Sequence, residues 1–412
     1  VSREEDRPGI VERAFDRWRV RLATKLLGWA FPLALVALLL LWFARRPRLL
    51  LGVIAAGVAV YGWQRYGWLP FAVLAVLVLA PFTSARFRAV ARAAARRAGY
   101  AALAVVADPL RRPVPLPAPA GATLEDLGAV TVGRRENGDP LDLAVWRPGR
   151  GTTHLLVAGV TGSGKGSAVW SLLAGLGPAI RDGLVAVWAV DPKGGAELGG
   201  GLPLFDRFVC GGPTRDGSPW QTAIADLLDE AVGGMQARLV AMRDPARPGG
   251  PVRVHTPTPA EPVILLVVDE VASITAYAPT PIRTRVENSL SLLLSQGRAA
   301  GVSVVSCTQD PRKQTLAFRD LIPERVALRT AEPVADLILG PGMRERGALT
   351  EQIDRRLAGV GYLVDERSAE PVRVRFAYVD DAQLANLGRR YAPSRAVLVD
   401  EPLQATSTRV PS

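Results

Sequence analysis

His154-Leu-Leu-Val-Ala-Gly-Val-Thr-Gly-Ser-Gly-Lys-Gly-Ser167 is the most informative stretch of this 412-residue chain. Its opening, His154–Ala158, is a short apolar run of strand character. A glycine-rich turn follows, made of Gly159, Val160, Thr161, Gly162, Ser163 and Gly164, and then comes Lys165. From Ser167 the chain reads Ser-Ala-Val-Trp-Ser-Leu-Leu, a helical pattern. A strand, a G-x-x-x-x-G-K loop and a helix in that order make a phosphate-binding loop. Glycines let the backbone wrap a phosphate, so successive N–H groups and the helix N-terminus point at it. Lys165 adds a compact positive charge for the β- and γ-phosphates of a nucleotide, ATP being the expected one.

The loop departs from the motif at one position. The residue after the lysine should be Ser or Thr, whose hydroxyl binds Mg²⁺. Here it is Gly166, with Ser167 next. One residue further along a helix points about 100° away. Either Ser167 reaches the metal through a water or an altered turn, or the metal relies on Asp269 and waters, or hydrolysis is weakened.

Three further segments share the pattern of a strand ending in polar residues. Val263-Ile-Leu-Leu-Val-Val268 is fully apolar, as a central strand buried on both faces should be, and it ends in Asp269-Glu270. Beside a P-loop this pair reads as a Walker B element, with Asp269 holding Mg²⁺ and Glu270 polarising the attacking water. An Asp-Glu pair at a strand end can also be an ordinary solvated turn. Val304-Val-Ser-Cys-Thr308 ends in Gln309, an amide placed to sense the γ-phosphate or to position water. Asp191-Pro-Lys-Gly-Gly195 follows a strand ending at Val190, and reads equally well as a simple turn. The chain contains only four lysines, yet Lys165 and Lys193 both fall in these motifs.

Around them, β-branched runs alternate with helical stretches from about 129 to 380. The expected strands are Ala129–Val132, His154–Ala158, Leu184–Val190, Val263–Val268, Val302–Cys307 and Arg325–Arg329. Such alternation indicates an α/β domain on a mainly parallel sheet, with ligands at the carboxyl ends of the strands. Two cysteines, Cys210 and Cys307, make no disulfide framework, and two histidines, His154 and His255, are too few for a His-based metal site.

The first hundred residues are of another kind. Leu26–Phe43 is an uncharged, mostly apolar run long enough for a transmembrane helix, with Trp29, Trp42 and Phe43 near its ends. Leu49–Phe82 is a second apolar region, broken around Gln64 and Arg65. No secretory cleavage pattern precedes the first run, which is therefore expected to be retained. The net charge of +11 is uneven. Residues 1–112 hold eighteen basic and six acidic side chains, whereas the remainder is nearly balanced. The excess thus flanks the apolar segments, as the positive-inside rule and anionic lipid require, and does not itself point to DNA. Charge counting favours a two-span hairpin with both ends cytoplasmic over three spans; a buried soluble hairpin is the alternative. The expected division is a cytoplasmic segment at 1–25, transmembrane region at 26–83, basic juxtamembrane helix and Pro-rich linker at 84–121, ATPase domain at 122–382 and tail at 383–412. The Arg-rich part of the juxtamembrane stretch reads as lying on the membrane surface, with a DNA contact as the alternative.

The segments HLLVAGVTGSGKG, WAVDPKGG, LLVVDEVA and QGRAAGVSVVSCTQDP, in this order and spacing, resemble the motor domain of the FtsK/SpoIIIE family. Val132-Gly133, Asn137-Gly-Asp-Pro140, Leu337-Ile-Leu-Gly340 and Gly359-Val-Gly-Tyr-Leu363 also fit. The resemblance covers about 129–366. The small size and the GKGS variant look like transfer proteins of actinomycete conjugative and integrative elements. It implies a RecA-like P-loop NTPase motor forming a hexameric ring at the cell membrane, threading double-stranded DNA and hydrolysing ATP with Mg²⁺ between subunits. Separate DNA-recognition or transfer proteins would be partners. Arg298, eleven residues before Gln309, becomes a candidate arginine finger toward the neighbour's γ-phosphate, or else a surface ion pair. Arg283 and Arg285 are weaker candidates. Family members that read DNA polarity carry a C-terminal winged-helix module, for which the residues after the last expected strand leave no room. Type VII secretion ATPases share this motor but usually in tandem copies, and a non-hydrolysing scaffold is a third reading, motivated by Gly166.

Overall fold

The computed structural model describes residues 108–214, 217–275, 278–310, 318–366, 368–393 and 398–400. All lie in one compact unit, Ala107–Ser412. The apolar runs at 26–43 and 49–82 and the Arg-rich stretch at 84–105 fall outside the described residues. No helix among the described residues is long and apolar enough to cross a membrane.

The strands are β1 (Val130–Arg135), β2 (Pro140–Leu143), β3 (Trp146–Arg147), β4 (Gly151–Thr152), β5 (Leu155–Ala158), β6 (Val185–Asp191), β7 (Arg207–Cys210), β8 (Val263–Val268), β9 (Val302–Thr308), β10 (Glu324–Leu328), β11 (Val360–Asp365), β12 (Ser368–Phe376) and β13 (Leu398–Asp400). The main helices are α1 (Lys165–Gly175), α2 (Trp220–Arg243), α3 (Thr280–Ala300) and α4 (Asp381–Tyr391). Eleven strands form one sheet in the order β13-β7-β6-β8-β9-β5-β10-β11-β12-β1-β2, and β3 pairs with β4 apart from it. From β13 to β10 every neighbour is parallel. From β10 to β2 every neighbour is antiparallel. The sheet is therefore mixed, its parallel part as expected and its antiparallel extension not.

The parallel strands read as unbroken apolar runs because both faces are covered. Every residue of β5, β8 and β9 is buried. Side chains alternate between faces with period two. Leu155 and Val157 join Trp170 and Leu173 of α1 and Leu387 and Tyr391 of α4 in one core. Leu156 and Ala158 join Ile224 and Leu228 of α2 and Leu290 and Leu293 of α3 in the other. Helix α3 stops at Gly301, whose φ of 76° is the left-handed conformation that ends helices. A Cβ there would lie 2.3 Å from the His255 ring, so only glycine fits the turn into β9.

Two expected boundaries move. The supposed linker before residue 122 is packed into this unit: Leu110 is fully buried, and Arg375 donates from Nη1 to the carbonyls of Leu110 (2.7 Å) and Arg111 (2.8 Å). Arg373 pairs with Asp108 at 2.7 Å. At the other end, α4 runs past 382 and buries Leu387 and Tyr391, so those residues are part of the domain and not of a tail. Its start is fixed by a capping box between Asp380 and Gln383.

Candidate nucleotide site

β5, β6, β8 and β9 end at the same edge of the sheet, and the residues that follow them form one cleft. After β5 the P-loop turns sharply. Gly162 and Gly164 have φ of 71° and 102°. A Cβ on Gly164 would fall 2.2 Å from the backbone nitrogen of Gly359, so the close approach of the two backbones requires glycine. α1 begins at Lys165, and no side chain caps its N-terminus. Its first N–H groups are left for an anion. Gly159 donates its N–H to the Thr308 carbonyl at 3.1 Å, and Val160 to the Arg329 carbonyl at 3.0 Å, which seats the loop between β9 and β10. Lys165 folds its ammonium back over the loop, donating to the carbonyls of Gly159 (2.9 Å) and Val160 (3.4 Å). Burial lowers its pKa, with the charges of Glu270 and Asp269 pulling the other way. A phosphate would take over both the bonds and the counter-charge.

β8 delivers Asp269 and Glu270, both nearly buried. Glu270 has φ of 50°, an unusual backbone for a side chain of its kind. That geometry brings its Oε1 to the Gln309 N–H at 3.0 Å. Its Oε2 is buried with no hydrogen-bond partner. Gln309 also accepts from the Thr161 hydroxyl at 2.8 Å, linking P-loop, Walker B strand and β9 in one network.

Lys193 completes the cleft. Its ammonium sits 2.9 Å from Asp269 Oδ2 and 3.8 Å from Glu270 Oε2. The loop that carries it is braced by the fully buried Asp191, which accepts from the N–H groups of Lys193, Glu197 and Leu198 at 2.9 Å each. Burial opposes the charge on Lys193, but the Asp269 bond and the surrounding carboxylates outweigh it and raise its pKa. Burial raises the pKa of Asp269, against the pull of Lys193. The turn reading of Asp191–Gly195 thus holds for the backbone, while its lysine belongs to the cleft.

These residues fit a Mg-nucleotide. An acid pair that already draws a cation to itself, and an orphaned carboxylate oxygen beside it, suit an ion held by one or two carboxylates and the phosphates. No group of three or more His, Cys, Asp or Glu side chains converges as a metal cage among the described residues. At the atypical position, a Cβ on Gly166 would face Glu197 Oε2 at 3.8 Å and Trp170 at 3.9 Å. Ser167 has its Cβ 3.8 Å from the place a Cβ on Gly359 would take.

Arg298 is not brought to this cleft. It lies in the last turn of α3, at the amino ends of the strands, and pairs with Glu366 at 2.7 Å. Arg285 pairs with Asp226 and Asp229 on α2. Arg329, which follows β10, does reach the P-loop, donating to the Thr161 carbonyl at 3.3 Å. Sequence reading passed over Arg329 because nothing local distinguishes it from any residue leaving a strand. Lys193 carried a signal in its rarity, but its partner is 76 residues away.

No protein-family model matches the chain. It is 28% identical over 280 residues to the DNA translocase FtsK of Corynebacterium glutamicum, an alignment covering 64% of this chain and 28% of that protein. To the DNA translocase FtsK of Mycobacterium tuberculosis it is 28% identical over 249 residues, 56% of this chain and 28% of the relative. The chain therefore spans less than a third of the length of the curated relatives it matches. The cytoplasmic domain of the Thermomonospora curvata type VII secretion ATPase EccC has the same fold, with a TM-score of 0.51 and 22% identity over 70% of this chain and 33% of that one. The resemblance to FtsK read from the motifs is thus borne out: the chain is similar to FtsK-type DNA translocases and has the fold of a P-loop ATPase motor.

Proposed function

We propose that the chain is a membrane-anchored translocase of double-stranded DNA that hydrolyses ATP with Mg²⁺ and works as a homo-oligomeric, hexameric ring. One observation carries this reading: Lys165, Asp269, Glu270 and Gln309, from three separate strands, meet in a single cleft at the carboxyl edge of the sheet. Lys165 and the P-loop amides bind the phosphates. Asp269 holds the hydrated metal, and Glu270 accepts the proton of the attacking water, oriented by Gln309. Mg²⁺ held there would supply charge for the phosphates, and Lys193, now bonded to Asp269, would then give up that bond. DNA as the substrate is supported by the similarity to proteins named DNA translocases. Membrane anchoring, with the motor in the cytoplasm, is supported by the apolar runs at 26–43 and 49–82 and the basic residues around them. A role in conjugative transfer, with separate DNA-recognition or transfer proteins, is the reading suggested by the GKGS loop, which resembles that of actinomycete transfer proteins.

ATP hydrolysis by the full chain, measured with and without linear double-stranded DNA, tests the reading. DNA should raise turnover several-fold. Hydrolysis indifferent to DNA would favour protein export, and ATP binding with no hydrolysis would favour an assembly scaffold.

A further inference from the structure

The P-loop lacks the hydroxyl that should follow its lysine, yet the rest of the cleft is arranged for a metal-bound nucleotide. Gly166 is not there to spare a clash. A Cβ at 166 would meet nothing closer than Glu197 Oε2 at 3.8 Å and Trp170 Cδ1 at 3.9 Å, which are ordinary contacts. Nor is its φ left-handed, since it lies within α1. What borders the vacant space is a carboxylate. A hydroxyl built there in the rotamer that faces Glu197 would be within hydrogen-bond reach of that oxygen.

The backbone of Glu197 is held in place. Its backbone N–H is bonded at 2.9 Å to Asp191 Oδ2, and Asp191 is itself fully buried. Its negative charge is felt at both Lys193 and Asp269. An independent feature points to a cation in the same cleft: Glu270 Oε2, on a side chain only 7% exposed, has no hydrogen-bond partner and faces the Lys193 ammonium at 3.8 Å.

We propose that Glu197 replaces the missing P-loop hydroxyl, its carboxylate holding the hydrated Mg²⁺ of bound nucleotide from the side that Gly166 leaves open. Mg²⁺ keeps several waters when it binds beside phosphates, so a carboxylate can anchor it through a coordinated water without entering a rigid cage. Glycine at 166 then leaves the space beside Glu197 free for that water. Lys193 is the cation that Mg²⁺ displaces from the carboxylates.

This assignment rests on the nucleotide-site reading above, and one titration separates the two. The full chain is mixed with a fluorescent, non-hydrolysable ATP analogue, and its binding is followed first in EDTA and then as Mg²⁺ is added. Glu197→Gln keeps the shape, and Glu197 is exposed, so binding in EDTA should match the parent. The Mg²⁺ needed for half-saturation should rise about tenfold or more, the effect expected of a group that anchors a metal's surroundings. Adding Gly166→Ser to Glu197→Gln should restore most of that loss, since the hydroxyl returns to its usual place. A Glu197→Gln chain that takes up Mg²⁺ like the parent overturns the assignment and leaves the nucleotide site standing. A parent chain that binds no nucleotide overturns both.

Discussion

The two ends of the same parallel strands use similar polar residues in opposite ways. At the amino ends most of the named polar groups are bonded within the fold. The Trp146 indole donates to the His255 carbonyl at 2.9 Å, Thr152 donates its hydroxyl to the Val302 carbonyl at 2.6 Å, and His154 Nδ1 accepts from the Val304 N–H at 3.1 Å. Arg147 pairs with Glu324 at 3.8 Å and Arg298 with Glu366. At the carboxyl ends the groups are held in position but left with capacity to spare: the open N-terminus of α1, the Glu270 Oε2, and a lysine bonded to Asp269 and 3.8 Å from Glu270. A buried polar group without a partner is destabilising; Glu270 Oε2 is one that a ligand in the cleft can complete, whereas His154 Nε2 at the amino end is likewise buried without a hydrogen-bond partner but faces no such cleft residues. Position along the strand, more than residue type, separates structural from chemical polar groups here.

The comparison breaks first at Lys165. Lys165→Ala removes the charge facing the phosphates and should weaken nucleotide binding about 100-fold, the equivalent of one strong charged hydrogen bond. Equilibrium binding that stays at the parent value would remove the P-loop assignment. Glu270→Gln keeps the Gln309 contact and the shape while losing the charge that takes the proton. Nucleotide binding should persist and turnover should fall by roughly 10²-fold or more. Normal turnover in this variant would move the catalytic base elsewhere.

At the amino end the expected effects are on stability. Burial, helped by the charge of Arg298, pushes the His154 pKa from 6.5 down to about 4. Neutral His154 is the form that can accept from Val304. The unfolded chain therefore binds more protons than the folded one between these values. The contribution of this group is complete above pH 6.5 and is lost as the pH falls toward 4, at most about 3 kcal/mol. Denaturant melts across that window should fall less steeply for His154→Gln than for the parent; parallel curves would contradict the buried neutral form.

Arg298 sharpens the contrast with the smallest effect. Its side chain is 37% exposed and bonded to Glu366 at the end of the sheet away from its own P-loop. Arg298→Ala should change stability by less than about 1 kcal/mol and leave hydrolysis close to the parent. The role of finger to a neighbouring subunit makes the opposite forecast: Arg298→Ala would be inactive, and mixing it with Glu270→Gln subunits would restore turnover by pairing intact groups across one interface.

The carboxyl end was largely legible in the sequence. Val263–Val268 has the same bounds in both readings, because a strand buried on both faces is an unbroken apolar run whose end is marked by its first charges. The P-loop is legible because the glycines its geometry needs are local in sequence. What sequence hid was made of distant partners. Arg373 and Arg375 tie down Asp108, Leu110 and Arg111 across about 265 residues, so a segment that reads as linker is part of the domain. Lys193 reaches Asp269 only because β6 and β8 are neighbours in the sheet. Arg298 and Gln309 are eleven residues apart, and β9 between them carries the two to opposite ends of one strand, so within one chain Arg298 lies away from the cleft.

The most direct measurement is displacement of a third strand from linear double-stranded DNA by the full chain, followed by release of a labelled triplex-forming oligonucleotide. ATP should drive release by the parent, Glu270→Gln should bind the same DNA and nucleotide without releasing the strand, and Arg298→Ala should release it at near the parent rate. ATP hydrolysis by the parent with no release of the third strand, or release that survives Glu270→Gln, would contradict a DNA motor driven from the cleft at the carboxyl edge of the sheet.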